Sequence, residues 1–111
     1  MPKIFLTDAH HRKTLATIRT LGKKGFSVFT GSNKILNMSK MSKYCHEFTK
    51  YPNPKLYPGQ FIDFLKKYTK SNKIDVLLAM DDITVELISK NMYKFDSNVN
   101  IPLPSYKTFM K

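Results

Sequence analysis

The sequence predicts a small α/β domain with a doubly wound parallel sheet of about five strands and helices on both faces. The first observation is an unbroken apolar stretch over residues 3–7, typical of a strand buried on both faces of a parallel sheet. The second is that such stretches alternate with segments of helical periodicity, which is the pattern of βαβ units. The third is size, because 111 residues with 41% hydrophobic side chains are enough for one core but not for two.

The first helix is predicted over residues 12–24, where apolar side chains recur at helical spacing. These side chains are Leu15, Ile18 and Leu21. Gly25 follows, and glycine readily takes the left-handed backbone angles that end a helix. A second strand is predicted over residues 27–30, because this segment is rich in β-branched and aromatic residues and ends at Gly31.

The middle of the chain is less regular. Residues 33–45 carry apolar side chains at intervals of three, which favours a short helix or turn. Residues 47–51 predict a third, short strand that is stopped by prolines. Pro58 suits the first turn of the helix that follows. The apolar face of that helix is the clearest in the chain and consists of Phe61, Phe64, Leu65 and Tyr68.

The last third of the chain repeats the alternation. A fourth strand is predicted over residues 74–79, and Asp82 is expected to cap a third helix. The side chains expected to point inward from that helix are Val85, Ile88 and Met92. Residues 99–101 predict a fifth strand. A further amphipathic helix is expected to begin at Pro104, so the domain is expected to span residues 1–103, and residues 104–111 to lead into a following module.

The chain is strongly basic, with 19 lysines and arginines against 8 acids and a formal net charge of +11. A charge of this size makes nucleic acid the first partner to consider. The cations are nearly all lysines, scattered singly or in pairs, and only Arg12 and Arg19 offer the planar fork favoured for phosphates and bases. A solvated lysine surface is therefore favoured over a nucleic-acid interface.

Membrane and disulfide classes are not favoured either. No apolar stretch approaches the roughly 18 residues that a membrane span needs. The apolar stretch at the amino terminus is too short for a signal peptide. A cytoplasmic protein is expected. The single cysteine, Cys45, excludes an internal disulfide and is expected to be a buried thiol rather than a nucleophile. The potential metal ligands His10, His11, Cys45 and His46 are too few and too awkwardly spaced to favour a closed zinc site.

In an open α/β sheet, ligands bind at the carboxyl ends of the strands. Three loops there supply the candidate substrate-binding residues, which are Asp8, Arg12, Gly31, Ser32, Asp81 and Asp82. The first loop has no glycine, so NAD and FAD are poor candidates. Its positive side chains at a helix start favour an anion, although a solvated loop with Asp8 as a helix cap fits equally well. The second loop fits a plain turn as well as a ligand contact. In the third loop Asp82 suffices as a cap, which makes Asp81 the better candidate for a ligand contact; a structural role for both fits equally well.

Seven short segments, distributed over the whole chain, form a recognisable pattern through their order and spacing. They are KIFLTD at 3–8, RK at 12–13, SKYC at 42–45, YPNP at 51–54, IDVL at 74–77, MDDITVE at 80–86 and IPLP at 101–104. Together they resemble the amino-terminal domain of ATP-grasp ligases, specifically the carbamoyl-phosphate-synthase-like group of carboxylate–amine ligases. The resemblance implies a Rossmann-like preATP-grasp fold that packs against a following ATP-grasp module of the same polypeptide.

In ligases of this kind ATP and magnesium lie between the two later lobes, a carboxylate is activated as an acyl phosphate, and an amine or ammonia attacks it. The resemblance therefore implies no cofactor and no catalytic residue in this chain alone, and ATP and Mg²⁺ for the full-length parent. It implies substrate-side roles for Asp8, Arg12, Asp81 and Asp82. Where many relatives have glycine in the first loop, this chain has His10 and His11, so its ligand can differ.

Two hypotheses follow. The leading one is a substrate-side and scaffold domain of an ATP-dependent ligase with a small-molecule carboxylate substrate. The alternative is a free-standing basic α/β binding module for nucleic acid or an acidic partner. The sequence leaves open which carboxylate and amine are used and whether the chain forms a homo-oligomer.

Overall fold

The computed structural model describes residues 2–34 and 44–102, which form an α/β domain. Its elements, in chain order, are β1 (Lys3–Leu6), α1 (Arg12–Lys23), β2 (Ser27–Ser32), β3 (Cys45–Lys50), α2 (Pro58–Ser71), β4 (Val76–Leu78) and α3 (Asp82–Lys90), followed by a short 3₁₀ helix (Met92–Lys94). The predicted fold class is confirmed, with four parallel strands in the sheet of the described residues rather than five.

The predicted fifth strand over residues 99–101 is reduced to a single parallel bridge between Val76 and Asn100. The Asn100 N–H donates to the Asp75 carbonyl, and the Leu77 N–H donates to the Asn100 carbonyl. Pro102 then follows, and proline has no N–H with which to extend the ladder. The segment therefore touches the edge of the sheet at one residue and makes no strand.

The strand order β3-β2-β1-β4 determines where the sheet reverses its winding direction. From β1 the chain winds outward through β2 to β3, then crosses back to place β4 on the other side of β1. The register pairs Phe5 of β1 with both Phe29 of β2 and Leu77 of β4. The winding direction thus reverses between β1 and β4, and a parallel sheet opens a crevice for ligands at such a point.

Helices cover both faces of the sheet, as predicted. On one face Ile4 and Leu6 pack with Ile18 of α1. On the other face Phe5 packs with side chains of α2 and α3, among them Phe61, Leu65 and Ile88. Alternate residues of β1 therefore enter opposite cores, which explains why its sequence is apolar without alternation.

Of the predictions made for the carboxyl ends of α1 and α3, one is confirmed and one is wrong. Gly25 has φ of 93°, and the Phe26 N–H donates to the Leu21 carbonyl, so the predicted glycine stop of α1 is confirmed. The inward orientation expected of Met92 is wrong: α3 ends at Lys90, and Met92 is 43% exposed in the 3₁₀ helix.

Two of the predicted segments lie mostly or wholly outside the residues that the structure describes. The short helix or turn expected over residues 33–45 lies mostly, and the helix expected from Pro104 wholly, outside the described residues. Among the helices that the structure does describe, none combines the length and apolar character needed to cross a membrane.

Candidate functional site

Asp8 lies at the carboxyl end of β1 and is almost completely buried, with 3% of its surface exposed. Its φ of 59° is left-handed, a region that aspartate tolerates better than most residues. Its backbone N–H donates to the Tyr51 hydroxyl at 2.8 Å. The alternative in which Asp8 caps α1 from a solvated loop is wrong, because His11 is the N-cap residue and makes no side-chain cap.

Two threonine hydroxyls hold the carboxylate of Asp8. Thr7 Oγ1 donates to Asp8 Oδ2 at 2.5 Å, and Thr84 Oγ1, from the first turn of α3, lies 2.8 Å from the same oxygen. Thr84 Oγ1 also lies 2.9 Å from the Asp81 carbonyl, but its one proton favours the charged acceptor. Thr7 Oγ1 in turn accepts the Met80 N–H at 2.9 Å. The carboxylate therefore joins the ends of β1 and β4 to the start of α3.

Asp81, not Asp82, caps α3, which corrects the prediction. The Asp81 carboxylate accepts the Ile83 N–H at 3.3 Å, and Thr84 Oγ1 accepts the Asp81 N–H at 3.3 Å, which completes a capping box. An N-cap needs an extended backbone, and Asp81 has φ of −135° and ψ of 153°, whereas Asp82 is already the first helical residue. Thr84 was not singled out from the sequence, although a threonine three residues after an aspartate is the relevant signal.

Asp81 also reaches the loop after β1, because its Oδ1 lies 3.3 Å from Nε2 of His11. The His11 ring packs against that of His10, with centroids 4.4 Å apart and ring planes inclined by 40°. Neither histidine was predicted as a substrate residue. The only sequence signal for them was their position directly after the first predicted strand, at the edge where α/β sheets bind ligands.

His10 links this group to the second predicted loop. Its Nδ1 lies 2.7 Å from Oγ of Ser32, a residue that is completely buried at the end of β2. Burial lowers the pKa of His10, and the nearby His11 ring lowers it further. His10 is consequently held mainly as the neutral imidazole at neutral pH, with a nitrogen lone pair able to accept a proton or bind a metal.

Gly31 has a packing role in the strand. A Cβ built on it would lie 2.9 Å from the Phe5 ring and 2.9 Å from the Tyr51 ring, so β2 requires glycine here. Its carbonyl accepts the Ala9 N–H at 2.9 Å, which fixes the loop after β1.

Arg12 and Asp82 are not part of this hydrogen-bonded group. Each is exposed and is the first residue of its helix. Neither makes an ion pair within the part of the chain that the structure describes.

The structure thus brings three loops together at the switch point between β1 and β4. The carboxyl-edge cluster formed there consists of Asp8, His10, His11, Ser32 and Asp81. Carboxylates and imidazoles can hold a cation, while the amino end of α1, flanked by Arg12, can hold an anion. The site is therefore equipped for a ligand that carries both charges.

A cavity and the single cysteine lie away from this edge of the sheet. The cavity has a volume of about 300 Å³ and lies near the amino end of β4. It is lined by Thr69, Lys70, Lys73, Ile74, Asp75, Asp96, Asn98 and Val99. Cys45, half-buried in β3, donates its thiol proton to the Glu47 carbonyl, and burial raises the pKa of the thiol. A raised pKa leaves little thiolate at neutral pH, so Cys45 is poorly suited to act as a nucleophile.

Comparison with known proteins adds no family to this geometry. No family model matches the chain, and none of the curated proteins matches it.

Proposed function

We propose that this chain is the amino-terminal, substrate-side domain of a cytoplasmic ATP-dependent carboxylate–amine ligase of the ATP-grasp type. Such an enzyme activates a carboxylate as an acyl phosphate that an amine or ammonia attacks. The observation that carries the proposal is the meeting of the loops after β1 and β4 at the switch point of the sheet, around buried Asp8. This is the edge at which open α/β sheets bind small ligands.

The charges at this edge are compatible with a substrate of mixed charge. Arg12 is exposed at the amino end of α1, where the helix dipole and free N–H groups add to its attraction for a carboxylate. Asp81 and Asp82 lie at the start of α3 and offer acceptors to an amine. ATP and Mg²⁺ would be held by the following module, since the described loops contain no glycine-rich phosphate cradle.

The test uses the polypeptide extended through the open reading frame beyond codon 111. ATP hydrolysis is measured with ammonia and a panel of amino acids and dicarboxylic acids. We expect a carboxylate-dependent rate, and we expect Arg12→Ala to raise KM for that carboxylate about tenfold, the equivalent of one charge-assisted hydrogen bond. Arg19→Ala is the matched control, because Arg19 is also an exposed arginine of α1 and lies two turns farther along the helix. A stop codon after residue 111, or equal effects of the two variants, would contradict the proposal.

The net charge of +11 supports one competing function, a free-standing basic module for nucleic acid or an acidic partner. The ligase proposal expects only weak, non-selective DNA binding that is lost between low and physiological salt, because scattered lysines make few simultaneous phosphate contacts. Binding measured by fluorescence anisotropy distinguishes the two. Tight, sequence-selective binding at physiological salt would establish the basic module instead.

A further inference from the structure

The carboxylate of Asp8 is buried without a positive partner. Both of its threonine donors are neutral hydroxyls, and no lysine, arginine or histidine of the described residues forms an ion pair with it. A buried carboxylate is costly unless a cation or a metal ion compensates its charge. The surroundings of Asp8 therefore lack one positive charge.

Two imidazoles stand where such a charge would be bound. One ring nitrogen of His10, one of His11 and a carboxylate oxygen of Asp8 lie within 4.8 Å of one another. Ligand atoms around a tetrahedral zinc ion are about 3.3 Å apart, given bonds of about 2.0–2.1 Å. Binding such an ion would draw the two half-buried rings and the carboxylate closer together.

The partners of the two histidines match those of metal-bound imidazoles. A metal-ligating histidine usually hydrogen-bonds through its other ring nitrogen to a carboxylate or another acceptor, which fixes the orientation of the ring. Here Nδ1 of His10 meets the Ser32 hydroxyl, and Nε2 of His11 faces the Asp81 carboxylate. Nε2 of His10 and Nδ1 of His11 have no hydrogen-bond partner in the described part of the chain, so they are left to bind an ion.

We propose that Asp8, His10 and His11 bind one divalent transition-metal ion of the zinc class, with Ser32 and Asp81 orienting the two imidazoles. Two imidazoles and one carboxylate suit zinc and its neighbours, whereas magnesium prefers oxygen ligands alone. Three protein ligands leave a coordination position open for water or a substrate atom. The positive end of α1 opposes a cation here, but the two carboxylates of the cluster outweigh its half charge. The inference does not rest on the ligase proposal, because metal binding belongs to this chain alone.

The experiment titrates the 111-residue chain with Zn²⁺ alone in a calorimeter and with Co²⁺ in a spectrophotometer. We expect saturable binding of one Zn²⁺ per chain and visible Co²⁺ absorption bands of a four- or five-coordinate ion. His10→Ala and His11→Ala should each abolish the Co²⁺ bands. Ser32→Ala and Asp81→Asn should weaken Zn²⁺ binding about tenfold, as removal of an orienting partner does at other metal sites.

His46→Ala is the matched control, since His46 is the remaining histidine of the chain and lies on β3 against the Phe29 ring. It should leave the titration unchanged. Loss of binding in His46→Ala but not in His10→Ala would overturn the proposal by moving the metal to Cys45 and His46. Absence of saturable Zn²⁺ binding would overturn it as well. Because the histidines are only half-buried, their variants are expected to fold; thermal unfolding of each apo variant checks this.

Discussion

Thr84 and Asp8 are 76 positions apart in the sequence, yet Thr84 Oγ1 lies 2.8 Å from Asp8 Oδ2 in the buried interior. The contact joins the start of α3 to the end of β1 across the switch point of the sheet. A hydroxyl that donates to a buried carboxylate contributes more to stability than a hydrogen bond between neutral groups. The pair therefore connects the stability of the fold directly to the geometry of the carboxyl-edge cluster.

Replacing Thr84 with valine keeps the shape of the side chain but removes its hydroxyl. We expect Thr84→Val to lower the free energy of unfolding by about 1–3 kcal/mol, because Asp8 loses a donor and the N-cap loses its reciprocal bond. Urea unfolding followed by circular dichroism measures the change. Thr20→Val is the control, because Thr20 is an exposed threonine of α1, and it should change stability by about 0.5 kcal/mol or less. Equal losses in the two variants would show that the buried contact adds nothing.

The corrected cap predicts unequal effects of two adjacent aspartates. Asp81→Ala should cost about 0.5–2 kcal/mol, because the Ile83 N–H loses its acceptor. Asp82→Ala should cost only a few tenths of a kcal/mol, since Asp82 is exposed and contributes only its charge near the helix amino end. Thermal or urea unfolding of both variants compares them. A larger loss for Asp82→Ala would restore the original assignment of the cap.

The buried phenol of Tyr51 predicts a loss of stability at alkaline pH. Burial raises the pKa of Tyr51 strongly, and the neighbouring Asp8 carboxylate raises it further. A folded-state pKa above the unfolded value of about 10 means that this contribution is complete below about pH 10 and is lost as the pH rises beyond it. Tyr51→Phe should therefore lose less stability than the wild type between about pH 9 and pH 11.

Urea unfolding at the two pH values measures this difference, which separates Tyr51 from the many lysines that titrate in the same range. Tyr93→Phe is the control, because the Tyr93 side chain is 80% exposed. A pH dependence that is identical in Tyr51→Phe and the wild type would contradict the assignment.

The ligase proposal predicts where ATP does not bind. The 111-residue chain should give no saturable heat with Mg-ATP at physiological salt, because one exposed arginine at a helix start attracts an anion only weakly. The polypeptide extended through the following module should melt at a higher temperature when Mg-ATP is added, by ligand linkage. Saturable ATP binding by the short chain that Arg12→Ala abolishes would place the nucleotide in this domain and refute its assigned role.

The sequence alone determined those parts of the fold that depend on neighbours along the chain. The unbroken apolar stretch of β1 predicted burial on both faces, and Gly25 predicted the end of α1. The helix that begins at Pro58 was predicted from one apolar face, and Phe61 and Leu65 of that face are buried. These features follow from local periodicity and backbone preference, which a sequence displays directly.

Tertiary structure decided everything that depends on distant residues. Asp8 lies in a loop whose sequence is basic and polar, yet it is buried because Thr84 and Tyr51 reach it from α3 and from the residue after β3. Which of Asp81 and Asp82 caps α3 depends on where the backbone leaves β4 and becomes helical. Two adjacent aspartates in a sequence do not indicate that position. The partners of His10 and His11 come from two other loops. Only the parallel order of the strands brings those loops to one edge of the sheet. Pairing across a sheet depends on register and topology rather than on sequence distance.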